Sequence, residues 1–519
     1  MKTKAAISAL FLFLATGCTV GPDYRRPVTQ TPAQWEVNLS GSSTGQYDPV
    51  GDWWKLFHDA ELDSLIRRAV TANLDLRIAG ARVRQARAQQ NFAEADYWPE
   101  VSASASYSRQ KQSKNQPILG SLPNSSNIPF ENNVYKAGFD AAWEIDLFGG
   151  KRRAVEAATA ELAAMEYGRR DVLVTLLSEV ARNYALIRGA QRQRAILQDQ
   201  IEAQEEAVKI TRSRVDHGSA AGLELQRALA LLADIQSQAP EIEVSIRSSI
   251  HRLSVLLGQS PGTLNAELSA AGPIPAPPPQ VPVGLPSGLL LRRPDVLRAE
   301  RLLAAETARI GQAKADLFPK FSLTGSVGTI SISASDFFLP SSRTWSIGPT
   351  VQWRIFDAGQ VLAGIRAQTE VQDQALLNYQ KTVLTSFEEV ETALVAYANE
   401  QEHYRLLEQE VNANRTAVEL AGQRYAKGWA GYLDLLDAQR TLYRSQDAWV
   451  RSERAVTLNL IALYKTLGGG WETDSVQRFE MMPVKPSTEK NSPERSQNGG
   501  FQPVRGRLMQ LKHGKIPKI

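Results

Sequence analysis

From Val101 to Ser108, apolar or small residues alternate with serine. Val101, Ala103, Ala105 and Tyr107 take one set of positions, and Ser102, Ser104, Ser106 and Ser108 take the other. A period of two puts the sets on opposite faces of a strand. The alternation returns three times. Tyr135, Ala137, Phe139, Ala141 and Trp143 interleave with Lys136, Gly138, Asp140 and Glu144. Phe321, Leu323 and Val327 interleave with Ser322, Thr324 and Ser326; Trp345, Ile347, Val351 and Trp353 with Ser346, Gly348, Gln352 and Arg354. The pattern predicts strands over about 99–109, 134–146, 320–330 and 344–356.

A helical pattern precedes each strand pair. It covers 64–96, stopped by Trp98-Pro99, and 295–317, stopped by Phe318-Pro319. The residue before proline is pushed out of the α region, so Pro99 and Pro319 mark helix-to-strand junctions. After each pair the chain turns through glycine, at Gly149-Gly150 and at Gly359. Helical pattern then runs from about 151 to 215 and from 360 to 426, breaks at Gly218 and Gly428, and resumes over 223–257 and 432–467. A helix of some 65 residues would be about 100 Å long, more than a globular core needs. Ile201, Val208 and Val215, like Val411, Val418 and Tyr425, recur every seven residues, a coiled-coil spacing.

These parts are written twice. An offset of 210 carries Trp143 to Trp353, Glu179-Val180 to Glu389-Val390, Arg214 to Arg424, Gly218 to Gly428 and Leu257-Gly258 to Leu467-Gly468. Repeat 1 occupies 61–260 and repeat 2 occupies 291–470. The linker between them, 261–290, includes GPIPAPPPQVPVGLP, whose prolines impose an extended course.

Half-buried sheet on a soluble core would show the same alternation. Here, however, the polar face carries Lys136, Asp140, Glu144 and Arg354, the apolar face carries aromatics near strand ends, and each strand has the length of a tilted membrane-spanning strand. Four strands cannot close a barrel, for which about eight are needed. Open edges in lipid would leave backbone groups unpaired. Strands that span a membrane must therefore share a barrel among several chains, as an oligomeric porin-like pore.

The N-terminus points to export. Met1–Lys4 is basic, Ala5–Leu14 is apolar, and Ala15, Thr16 and Gly17 are small, which reads as a signal peptide over 1–17. Cys18, the single cysteine, follows at the cleavage site. It resembles the acylated cysteine of bacterial lipoproteins, with Ala15 where leucine is usual and Thr19 implying the outer membrane. An incidental cysteine behind an ordinary signal peptide is the alternative. No later segment has 18 consecutive apolar residues, which excludes spanning helices. Residues 485–519 hold eight Lys/Arg and two Glu, a charge of +6 against +4 for the whole chain, so the remainder is about neutral. We read that tail (471–519 as a segment) as a solvated, disordered extension rather than a nucleic-acid binder. Five scattered histidines and the absence of HExxH, CxxC, GxSxG or a P-loop leave no catalytic constellation, metal site or cofactor.

Taken together, CTVGPDY (18–24), DWWKLF (52–57), LRRPDV (291–296), IFDAGQ (355–360), RYAKG (424–428) and LDLLDAQR (433–440) resemble the TolC-like outer-membrane efflux proteins, in their OprM/NodT lipoprotein branch. The resemblance implies a mostly α fold with a transmembrane β part: a homotrimer with a twelve-stranded barrel, four strands per chain, continued by an antiparallel coiled-coil tunnel in the periplasm. The N-terminal extension (18–60), linker and C-terminal region would belt it at mid-height. It implies a periplasmic adaptor and an inner-membrane transporter of the resistance-nodulation-division type as partners, outer-membrane lipid around the barrel, and passive export of small molecules. Tyr425, Leu433, Asp437 and Arg440 match the family positions that constrict the closed periplasmic mouth. Read from spacing alone, Asp437 and Arg440 form an ordinary surface pair. A type I secretion channel, a coiled-coil surface lipoprotein and an exported enzyme are the rival readings, and the exported substrate is not legible.

Overall fold

A computed structural model describes residues 19–36, 42–43, 51–111, 113, 131–278 and 281–471. Cys18, the segment 1–17 and the tail from 472 lie outside the described residues. Repeat 1 comprises α1 (Ala60–Ala72), α2 (Leu74–Ala95), β1 (Glu100–Lys111), β2 (Glu131–Ile145), α3 (Gly150–Asp216), α4 (Gly222–Ser237) and α5 (Ala239–Leu256). Repeat 2 comprises α6 (Pro294–Ala315), β3 (Lys320–Ser331), β4 (Arg343–Gln352), α7 (Gln360–Ala426) and α8 (Tyr432–Thr466).

The long helices α3 and α7 each have 67 residues. Each starts after a left-handed glycine, Gly149 at φ +80° and Gly359 at φ +85°, and each ends before another, Gly218 or Gly428. Left-handed backbone costs a residue with a Cβ, so glycine sets where the helix begins. Of the heptad positions, Val208, Val411 and Tyr425 are buried and Ile201, Val215 and Val418 half-buried, with Gln204 and Thr211 also buried along α3. Helix α3 lies against α2, α4, α5, α6 and α8, while α7 lies against α6 and α8.

Three expectations need correction. The helix placed over 64–96 is two helices, separated at Asn73. That residue is extended (ψ 130°), accepts from the Leu76 N–H at 2.9 Å and donates to the Leu256 carbonyl at 2.9 Å. An asparagine that caps a helix start and also reaches a neighbour outweighs one more helical hydrogen bond. The helix placed over 223–257 divides into α4 and α5 around Gln238, just before Pro240, which cannot donate its backbone hydrogen bond. Its counterpart α8 carries no proline and is continuous. Finally, β4 ends at Gln352 instead of near 356.

The strands form a meander in the order β1-β2-β3-β4, all antiparallel, with β1 and β4 as open edges. The main apolar core runs on from Val208 of α3 to the N-terminal segment. There the 3₁₀ turn Trp53–Phe57 inserts Trp53, Trp54 and Phe57 among Leu65, Leu177 and Leu460. Trp53 stacks on Tyr464 at 5.2 Å, and the Trp35 indole N–H donates to the Gly284 carbonyl at 2.9 Å. One apolar cluster thus joins the N-terminal segment, the linker and the last helix.

Candidate channel wall and gate residues

The sheet has two chemically distinct faces. Across one run Ala103, Phe139, Val327 and Trp345, each opposite the next. Across the other run Ser102, Asp140, Ser326 and Ser346, with the Ser326 and Ser346 hydroxyls 2.8 Å apart. The apolar face is bare: Trp345 is 75% exposed and Ile347 69%. Burying such a face in lipid removes its hydrophobic cost, at about 25 cal/mol per Å². Trp143, Phe321 and Trp353 sit near its helix-side end, and Tyr107, Tyr135 and Trp345 near the other, the two aromatic girdles of a spanning barrel. At the centre, Gly138 faces Gly328 so closely that a Cβ on Gly328 would lie 2.4 Å from the Ala137 carbonyl oxygen.

Where strands meet helices, each repeat repeats one device. The Trp143 indole donates to the Tyr97 carbonyl at 2.8 Å, and the Trp353 indole to the Leu317 carbonyl at 3.1 Å. Each satisfies a carbonyl left over where a helix stops before Pro99 or Pro319. Gly150 opens α3 beside Ala315, and a Cβ there would stand 3.0 Å from the alanine methyl. The N-terminal segment crosses this elbow. Thr19 lies on Gly149, the Val20 N–H donates to the Phe148 carbonyl at 3.1 Å, and buried Arg153 donates to Asp23 Oδ1 at 2.7 Å.

At the opposite end, four helices converge near the Gly218 and Gly428 turns. The Tyr425 hydroxyl donates to Glu224 Oε2 at 3.0 Å. The Arg214 guanidinium stands 4.3 Å over the Tyr425 ring, and the Tyr432 ring lies 5.6 Å away. Burial, then the Glu224 carboxylate, push the Tyr425 phenol above its ordinary pKa, which keeps it a neutral donor. Leu433, Asp437 and Arg440 are exposed on α8, Leu433 at 57%. Among the described residues neither Asp437 nor Arg440 makes an ion pair, so the surface pair read from their spacing is not formed within the chain. The structure therefore gathers Tyr425 into a cluster and leaves the other three facing outward. Sequence reasoning missed Glu224, Arg214 and Tyr432 as its partners. The one available signal was Arg214, which the repeat matches to Arg424.

Among the described residues no helix is long and apolar enough to cross a membrane, and no group of three or more His, Cys, Asp or Glu could hold a metal ion. The family model for outer membrane efflux proteins matches residues 65–259 and 285–469. The chain belongs to the outer membrane efflux protein family. Among the relatives of this efflux protein, the pyoverdine export outer membrane protein OpmQ of Pseudomonas aeruginosa is 34% identical, over 91% of this chain and 98% of its own length. The toluene efflux pump outer membrane protein TtgC of Pseudomonas putida is 32% identical, over 93% and 99%. The solved outer-membrane channel OprN superposes with a TM-score of 0.81 at 35% identity, covering 88% of this chain and all of that one. This efflux protein is thus an outer-membrane component of an efflux system, an exit channel.

Proposed function

We propose that the chain is the passive exit duct of a tripartite pump, working as a homotrimer. Three copies contribute four strands each to a twelve-stranded barrel, and their long helices form the periplasmic tunnel. The observation that carries this reading is the four-stranded meander, open at both edges and bare on its apolar face, continuing into helices of 67 residues. A periplasmic adaptor and an inner-membrane transporter of the resistance-nodulation-division type deliver small-molecule cargo and supply the energy. The relatives' names, pyoverdine export and toluene efflux, agree with small molecules as cargo.

Cys18 carries the lipid anchor. Thr19, its neighbour, rests on Gly149 at the strand–helix elbow, which supports an anchor in the leaflet where the barrel ends. The periplasmic mouth closes at Tyr425, Leu433, Asp437 and Arg440. Leu433 forms an apolar ring around the axis. The unpaired Asp437 and Arg440 of each chain are tied to neighbouring copies, three weak contacts acting together. Planar-bilayer recording tests the reading. The parent trimer conducts poorly, and the double variant Asp437→Ala, Arg440→Ala conducts several-fold more. Equal conductance of the two, with trimers intact, removes these residues from the gate. A parent that inserts no pore removes the channel reading altogether.

A further inference from the structure

The internal repeat carries strand register beyond the edges of a single chain. In repeat 1, Glu100 faces Ala142; in repeat 2, Lys320 faces Gln352. A shift of 220 along the first strand and 210 along the second converts one pairing into the other, at each position from Glu100 to Arg109. Between the repeats, β2 pairs with β3 from Tyr135 opposite Ser331 to Ile145 opposite Phe321. The same two shifts place Trp345 opposite Lys111 and Ile355 opposite Val101, a pairing that the single chain cannot make with its own edges.

Resting on the shared-barrel reading, we infer that β4 pairs with β1 of the next copy in this register. Thr350 then stands opposite Ser106 of the partner subunit, and Arg354 lies diagonal to Glu100 of the partner subunit. Two observations support the seam. First, β2 is paired as far as Ile145, but β4 stops at Gln352, three residues before the matching Ile355. Trp353 and Ile355, beyond that end, are 55% and 85% exposed, as a strand end waiting for its partner would be. Second, the charges are complementary on the polar face. Within the chain Glu144 faces Ser322 and is diagonal to Lys320. At the open edges the matching residues are Arg354 and Glu100, with the two signs exchanged. Among the described residues neither of these two makes an ion pair in its own chain. Diagonal neighbours on one face are about 7–8 Å apart at Cα, within reach of long side chains. Both seams thus set opposite charges on the diagonal, although within the chain Lys320 makes its ion pair with Asp316 at 2.9 Å.

Paired cysteines test the register. Directly opposed residues have Cα atoms about 4.5–5.5 Å apart, inside the range a disulfide accepts, whereas diagonal ones fall outside it. The full chain carrying Ser106→Cys with Thr350→Cys should, on mild oxidation, give covalent dimer and closed trimer on a denaturing gel. Ser104→Cys or Ser108→Cys combined with Thr350→Cys, each a two-residue slip on the same face, should give about tenfold less. A stronger band from either slipped pair overturns the register. No band from any pair, in variants that still conduct like the parent, overturns the β4–β1 seam but leaves the channel reading standing. A parent that is monomeric in detergent by light scattering overturns both. A charge exchange is the second arm. Glu100→Arg or Arg354→Glu alone should lower the temperature at which the trimer dissociates, and the two together should restore it. A double variant no better than the worse single variant overturns the diagonal pair.

Discussion

Tyr425→Phe removes one oxygen from the proposed gate and little else. The ring stays, so the contacts with Arg214 at 4.3 Å and Tyr432 at 5.6 Å persist. What is lost is the 3.0 Å hydrogen bond to Glu224. A hydrogen bond to a charged group contributes about 1.5–3 kcal/mol when buried, and a half-exposed carboxylate brings that to about 1 kcal/mol. Three copies closing in concert would lose about 3 kcal/mol, which is roughly a hundredfold in the closed-to-open ratio. The bond joins α4 of one repeat to α7 of the other, so it resists separation of the two hairpins. Single-channel recording at neutral pH reads the effect as a higher open probability, with unit conductance at the open level unchanged. Glu224→Gln, which retains a weaker neutral acceptor, should fall between the parent and Tyr425→Phe. The pH dependence follows from the raised phenol pKa: the contact is present below about pH 10 and is lost as pH rises through the folded-state value. An open probability for Tyr425→Phe equal to that of the parent, in intact trimers, refutes the idea that this bond holds the mouth closed.

Other expectations follow from the remaining geometry. Cys18→Ser should abolish lipid incorporation, read as loss of acyl mass on the N-terminal peptide, while the barrel still inserts through its own apolar face. Gly328→Val drives a side chain to 2.4 Å from the Ala137 carbonyl oxygen, a backbone clash that should cost about 3 kcal/mol and abolish heat-resistant trimer. Gly325→Ala, on the same inner strand, adds a Cβ that would meet only the Ser346 carbonyl oxygen at 3.7 Å, an ordinary contact, and should leave that trimer intact. Asp171 sits half-buried on α3 near Asp295, and burial, then that carboxylate, raise its pKa despite Arg298, Arg293 and Lys465. The folded state therefore holds its proton to higher pH than the unfolded state does, and ionisation above that window is unfavourable to folding. Asp171→Asn should raise the melting temperature by about 1–2 °C at pH 7.5 and lose that advantage near pH 4.

Much of this fold is legible because punctuation and period agree. Gly149, Gly359, Gly218 and Gly428 stand where the long helices start and stop, and the two-residue alternation marks the strands. Asn73 shows what pattern misses: the apolar spacing runs on through it, and its cap on the Leu76 N–H together with its bond to the Leu256 carbonyl, far along the chain, explains the break. The end of β4 was misplaced for a different reason. Trp353, Arg354 and Ile355 continue the alternation, but β3 begins at Lys320, opposite Gln352, so no described strand of the chain lies beside them. The gate divides the same way. Tyr425 is visible at a heptad position, whereas Glu224 becomes its partner only when hairpins 201 residues apart in sequence are brought together.

The equal length of α3 and α7 constrains how such a chain can change. Both helices hang from the same rim and finish at the same depth, so they behave as two rulers cut to one measure. Removing one heptad from either alone would lift its tip by about 10 Å and leave the other protruding. Removing a heptad from both would give a shorter tube whose tips remain level. Adaptation to a narrower or wider periplasm must therefore proceed by matched insertions or deletions in the two halves of the gene, each a whole number of heptads.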